Sequence, residues 1–169
     1  MLTSSRVLGT GMCVPDHIIT NEYLATIVDT SDDWIVSRTG MKERRQVRPD
    51  QAASDLVIPA ARHALEQAGL TPRDLDMIIV ATISPDTIFP STACVVQDAL
   101  GTREIPSFDI SAGCTGAIYA LAIANDLIRA HSVRTASLAP WVGAHPAIRT
   151  AWAWCGIMPE KKNTSASVG

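Results

Sequence analysis

Charge is scarce in this chain and forms no block. Asp, Glu, Lys and Arg make up 18% of the 169 residues, and 14 basic against 17 acidic side chains leave a net charge of -3. A nucleic-acid surface needs a basic face, so that class of partner is excluded. Cysteine is sparse and scattered: Cys13, Cys94, Cys114 and Cys155 include no C-x-x-C pair. The usual zinc spacings are therefore missing, a disulfide framework has no support, and independent reduced thiols with no metal site are expected. No apolar run is long enough to cross a bilayer, the longest being 77–83 and 117–124, so no membrane partner is expected. The N-terminus has no basic segment leading into an apolar one, so no secretory signal is read there and a cytoplasmic location is expected.

What the chain has is apolar bulk: 47% hydrophobic residues and a mean hydropathy of +0.15. This suits a globular α/β protein with a large core, forming one domain or half of a larger one. A first strand is expected over Arg6–Val14, ending at Pro15. Asn21 reads as an N-cap for a short helix over Glu22–Val28, and Thr30-Ser31-Asp32-Asp33-Trp34-Ile35 repeats the signal with a capping hydroxyl and two acids in the first turn. Read on its own, Trp34 is a half-buried packing residue rather than a ligand-stacking platform. The Arg38–Arg45 segment could meet a phosphate, but such runs are more often solvated surface. Ser54–Ala68 reads as a helix closed by Gly69, with Pro59 tolerable only in its first turn. Met77–Ile83 is a β-branched apolar run, the mark of a central strand buried on both faces. Ser84–Pro90 is a loop with two prolines and Phe89, followed by a helix over Ser91–Leu100 capped by Gly101. Strands alternating with helices imply a mainly parallel sheet with helices on both faces.

The stretch Ser107-Phe108-Asp109-Ile110-Ser111-Ala112-Gly113-Cys114-Thr115-Gly116 reads as a buried strand, a small-residue turn and the start of a long helix. A cysteine at such a helix start lies among unpaired N–H groups that favour a thiolate nucleophile. The alternative is an inert buried cysteine, and spacing alone leaves both readings open. The helix that follows is apolar all round from Gly116 to Ala124, so burial on every side and a further covering layer of protein are expected.

Several blocks together carry a resemblance: Gly9-Thr10-Gly11 with Pro15; Asp29-Thr30-Ser31-Asp32-Asp33-Trp34-Ile35-Val36-Ser37-Arg38-Thr39-Gly40; Phe89-Pro90-Ser91-Thr92-Ala93-Cys94; and Phe108 to Gly116. In order and spacing they are similar to the N-terminal half of a β-ketoacyl-acyl-carrier-protein synthase III, the initiating condensing enzyme of type II fatty acid synthesis in the thiolase superfamily. The resemblance implies one half of the duplicated thiolase-like α/β fold. It matches Cys114 to the nucleophile that takes an acyl group from acyl-CoA as a thioester. Trp34 and Arg38 match residues that hold the CoA adenine and phosphates, with Thr30 in the same region. Phe89 matches a residue that shapes the acyl pocket across a homodimer interface. The implied partners are an acyl-CoA and malonyl-acyl carrier protein, with CoA thioester as substrate rather than resident cofactor. The histidine and asparagine that serve the decarboxylative step belong to the family's other half, and none of His17, His63, His131 or His145 is matched to them.

Similarity runs to about Thr135, after which Pro140, Pro146 and three of the four tryptophans enter. Two regions are expected: 1–136, the thiolase-like half carrying the nucleophile, and 137–169, a divergent and partly disordered tail in which the prolines interrupt any central strand. Two accounts of such a change are open, a reading-frame shift or equivalent truncation and a natural half-length variant with its own C-terminal cap, and the downstream DNA read in the other frames tests the first. Besides an acyltransferase, two readings stay open: a non-catalytic fragment, and a polyketide- or quinolone-type starter condensing enzyme.

Overall fold

The computed structural model describes residues 5–142 and 153–159. Its centre is a five-stranded sheet in the order β1-β7-β6-β4-β5, where β1 is Gly9–Cys13, β4 Met77–Thr82, β5 Ser107–Ile110, β6 Thr135–Val142 and β7 Ala153–Pro159. β4 pairs in parallel with both β5 and β6, while β7 runs antiparallel to β6 and to β1. Four of the five strands therefore point the same way. A separate hairpin pairs β2 (His17–Thr20) with β3 (Glu43–Gln46), so the end of the basic run expected at the surface, residues 43–45, is a strand.

All six residues of β4 are buried, as its β-branched run requires. Alternation sends Ile78 and Val80 into one core with α3 (Ala53–Ala68) and α4 (Thr92–Leu100), and Met77 and Ile79 into a second core with α5 (Gly116–Arg129). Helices thus cover both faces of the sheet. Gly9 and Gly11 let α3 lie directly on β1: a Cβ at Gly11 would fall 2.0 Å from the Ala60 carbonyl oxygen. Gly69 and Gly101 close α3 and α4 with φ of 67° and 69°, the left-handed conformation that terminates a helix without a Cβ penalty.

Three expectations are revised, and the burial of one helix is described with them. Pro59 lies in the second turn of α3, and the helix continues through it. The missing N–H costs one intrahelical bond, while Leu56, Val57, Ala60 and Ala61 on either side are fully packed. Asn21 does not cap α1 (Asn21–Ala25); Thr20 does, accepting from the Tyr23 N–H, and Asn21 is buried. The apolar helix α5 buries the stripe Gly116, Ala120, Ala124 and Ile128 within the described residues and leaves Ile118 63% and Tyr119 53% exposed. Finally, Pro140 does not stop β6. Between Leu138 and Trp141 three steps on β6 oppose two on β7, and between Ala139 and Val142 three oppose two on β4. The proline sits in this bulge, where the ladder is already broken and an N–H is not needed. The sheet thus crosses the boundary expected after 136. Pro146, Trp152 and the polar end from Glu160 to Gly169 lie outside the described residues. Among those described, no helix is long and apolar enough to cross a membrane.

Candidate active site

Parallel strands deliver their following loops to one edge of the sheet, which is where open α/β sheets bind ligands. The carboxyl ends of β4 and β5 are adjacent, so the 83–91 loop and the 111–115 turn emerge side by side. Cys114 occupies the middle of the single 3-10 turn Gly113–Thr115 that leads into α5, and it is exposed. Gly113 adopts φ 53°, which reverses the chain after the strand, and the Thr115 N–H and hydroxyl both donate to the Ala112 carbonyl at 3.2 and 2.8 Å. Gly116 brings the first turn of α5 against β4, since a Cβ there would meet the Ala81 methyl at 3.0 Å. The nucleophile candidate is therefore held on a rigid strand–turn–helix with its thiol open to solvent. Cys13 differs: burial first, and the Asp16 carboxylate second, push its thiol above the ordinary value.

Phe89 stands on the neighbouring loop and is 90% exposed, next to an equally exposed Ile88. What fixes this loop is a chain of carboxylate contacts that sequence reading missed. Asp109, on β5 five residues before Cys114, accepts from the N–H groups of Thr92 and Ala93 at 2.8 Å each, at the start of α4. Asp86, three residues before Phe89, accepts from the Ser54 N–H at 3.0 Å at the start of α3 and donates its own N–H to the Thr92 hydroxyl at 3.2 Å. Both carboxylates face helix N-termini, where N–H groups lack intrahelical partners and favour negative charge. The one available signal was an aspartate between the apolar Phe108 and Ile110 of β5.

Trp34 and Arg38 lie one turn apart on α2 (Asp32–Thr39) and are brought together: the Arg38 guanidinium carbon sits 5.0 Å from the Trp34 ring centroid. Trp34 is 55% exposed, so much of its surface stays open beside Arg38 while the rest is covered. Ser31 caps the helix by accepting from the Trp34 N–H at 3.1 Å, and Gly40 ends it at φ 72°. Thr30 precedes the cap with its hydroxyl buried and unpartnered. The pair thus offers an aromatic face and a cation to a planar, anionic ligand. It does not adjoin Cys114 through the sheet. The 14–52 excursion leaves the carboxyl end of β1, four strand spacings or about 19 Å from β5. It returns at α3, whose first turn is tied to Asp86 on the Phe89 loop.

Residues 108–139 match the family model for 3-oxoacyl-[acyl-carrier-protein] synthase III. The β-ketoacyl-[acyl-carrier-protein] synthase III of Caldanaerobacter subterraneus subsp. tengcongensis is 56% identical over 125 residues, 74% of this chain and 38% of that protein. The enzyme of the same name from Natranaerobius thermophilus is 53% identical over 127 residues, 75% of this chain and 39% of its own length. The crystal structure of 3-oxoacyl-[acyl-carrier-protein] synthase III from Aquifex aeolicus superposes with a TM-score of 0.84 at 36% identity, covering 95% of this chain and 55% of that one. A priming β-ketosynthase of a polyketide pathway superposes equally well, TM-score 0.84, at 28% identity over 95% of this chain and 51% of that one. The chain spans about two fifths of the length of these curated relatives.

Proposed function

The chain belongs to the β-ketoacyl-acyl-carrier-protein synthase III family over the part of that family's length it spans, and on that premise we propose that it carries the acyl-accepting half of a condensing enzyme. The observation that carries the reading is the exposed Cys114 on its strand–turn–helix at the carboxyl edge of the parallel strands. In the first step its thiolate adds to the carbonyl carbon of an acyl-CoA. The carbon–sulfur bond to CoA then breaks, and CoA leaves as a thiolate that takes up a proton. Dividing the condensation in two makes each barrier lower. Trp34 stacks on the adenine and Arg38 meets the phosphates, with the Thr30 hydroxyl available to the same ligand. Phe89 borders the acyl chain at the interface of a homodimer.

In the second step a malonyl group on acyl carrier protein loses CO2, and the resulting carbanion attacks the Cys114 thioester, forming a carbon–carbon bond and freeing the thiolate. The groups that stabilise that carbanion are the histidine and asparagine that the resemblance places in the family's other half, while the acylation step is the one that Cys114 itself carries. The reading puts the protein in the cytoplasm, where acyl-CoA and acyl carrier protein are found. The experiment is intact-mass spectrometry after incubation with acetyl-CoA and longer acyl-CoAs. An adduct of one acyl group that is lost in Cys114→Ala supports the reading, and a folded protein without any adduct removes it. A priming role in a polyketide or similar pathway is the second reading, favoured by the superposition on the priming β-ketosynthase. Preference for longer or branched acyl groups over acetyl in the same assay selects it.

A further inference from the structure

The 14–52 excursion has very little core to hold it. Its fully buried residues are Pro15, Asn21, Ile35 and Val47, and one of these four is polar. Three scattered apolar side chains cannot by themselves set the pose of an eight-residue helix whose mean hydropathy is low and whose outer residues face solvent. The polar one makes up the difference. Asn21 is 0% exposed and spends its side chain on three separate pieces of chain. Its amide donates to the Asp32 carboxylate at 2.7 Å and to the Met41 carbonyl at 2.8 Å, and its oxygen accepts from the Arg44 guanidinium at 2.9 Å. Asp32 is the first residue of α2, Met41 follows its Gly40 cap, and Arg44 lies on β3. Both ends of α2 are thus tied to one buried amide, with the hairpin strand behind it.

We infer that Asn21 is the positioning residue of the nucleotide clamp, setting the angle at which α2 presents Trp34 and Arg38 to the adenine and phosphates of CoA. The inference rests on the clamp reading of those two residues. Its chemistry is specific to an amide. Both donors of the NH2 group are used, each on an acceptor, so a carboxylate of the same shape loses both bonds and meets Asp32 as a like charge. Exchanging the roles, with the donor at position 32 and the acceptor at position 21, restores that contact and keeps an acceptor for Arg44.

The test is calorimetric titration of the full chain with CoA, alongside the alkylation rate of Cys114 by iodoacetamide read by peptide mass. Asn21→Asp is expected to weaken CoA binding about tenfold while Cys114 alkylation is unchanged, because the two sites follow β1 and β5, the outermost strands on opposite sides of the sheet. The double variant Asn21→Asp with Asp32→Asn is expected to recover most of the lost affinity, the signature of direct coupling. Trp34→Ala separates the two levels. If Trp34→Ala binds CoA like the unaltered chain, or the unaltered chain binds none, the clamp reading falls and this inference with it. If Trp34→Ala weakens binding but Asn21→Asp does not, only the positioning role is overturned. A double variant as weak as Asn21→Asp, or a single variant that alters Cys114 alkylation as much as CoA binding, also overturns it.

Discussion

Asp109 joins β5, the strand leading to Cys114, to the start of α4, and removing it is the most direct probe of how that edge is held. Its two oxygens each accept one backbone N–H, from Thr92 and Ala93, at 2.8 Å. A hydrogen bond to a charged acceptor is worth about 1.5–3 kcal/mol, and the half-buried position of Asp109 argues for the lower end. Asp109→Ala leaves both N–H groups without their acceptor and should cost about 3 kcal/mol, taking two bonds at the lower value. Asp109→Asn keeps one acceptor oxygen but turns a donor toward the second N–H and removes the charge at the helix start, so about 1.5 kcal/mol is expected. For a chain of this size, about 3 kcal/mol corresponds to a fall in Tm of roughly 9 °C. Urea unfolding followed by far-UV circular dichroism gives the two free energies, and amide exchange at Thr92 and Ala93 reports whether the loss is local. A cost below about 1 kcal/mol for Asp109→Ala, or equal costs for the two variants, would show that the carboxylate fork does not hold the loop.

Two other predictions concern the frame around the site. Gly11→Ala drives a methyl into backbone atoms of α3, 2.0 Å from the Ala60 oxygen and 2.7 Å from the Ala64 nitrogen, so a loss of about 3 kcal/mol is expected. Gly40→Ala, with open space around it but φ of 72°, should cost about 1 kcal/mol; a reversed order in urea unfolding would contradict the packing of β1 on α3. Burial alone raises the Asp76 carboxyl, but the N–H groups of Arg134 and Thr135 and the guanidinium of Arg103 together hold it below its ordinary value. A depressed carboxyl adds stability above its unfolded value of about 3.9 and loses it as pH falls through the folded value. Asp76→Asn should therefore be less stable than the unaltered chain at neutral pH, with the gap narrowing below about pH 4. A gap that stays constant from neutral pH to pH 3 would refute the assignment.

The regular elements were largely legible because their signals are local. The unbroken apolar run of β4, the glycines after α3 and α4, and the serine before α4 each act within a few residues of the structure they specify. Pro140 was misread because the rule that proline ends a central strand assumes an unbroken ladder, and the bulge it occupies is set by the registers of β4 and β7 on either side. The bonding partners of Asn21 and Asp109 were not legible. Each bonds to residues 11 to 23 positions away, and nothing in the neighbouring sequence says which helix end will arrive there.

By itself the sequence determined the alternation of strands with helices and placed Cys114 at a strand–turn–helix start, since both depend on short-range spacing, while the reading of Trp34 and Arg38 as a ligand-holding pair came only from the family resemblance. Only the tertiary structure decided that Trp34 is exposed with Arg38 against its ring, that α5 buries one stripe within the described residues, that two carboxylates fix the loop beside Cys114, and that one buried amide ties both ends of α2. Exposure and long-range hydrogen bonding are properties of what packs nearby, and packing partners distant in sequence are chosen by the sheet order and not by the residues beside them.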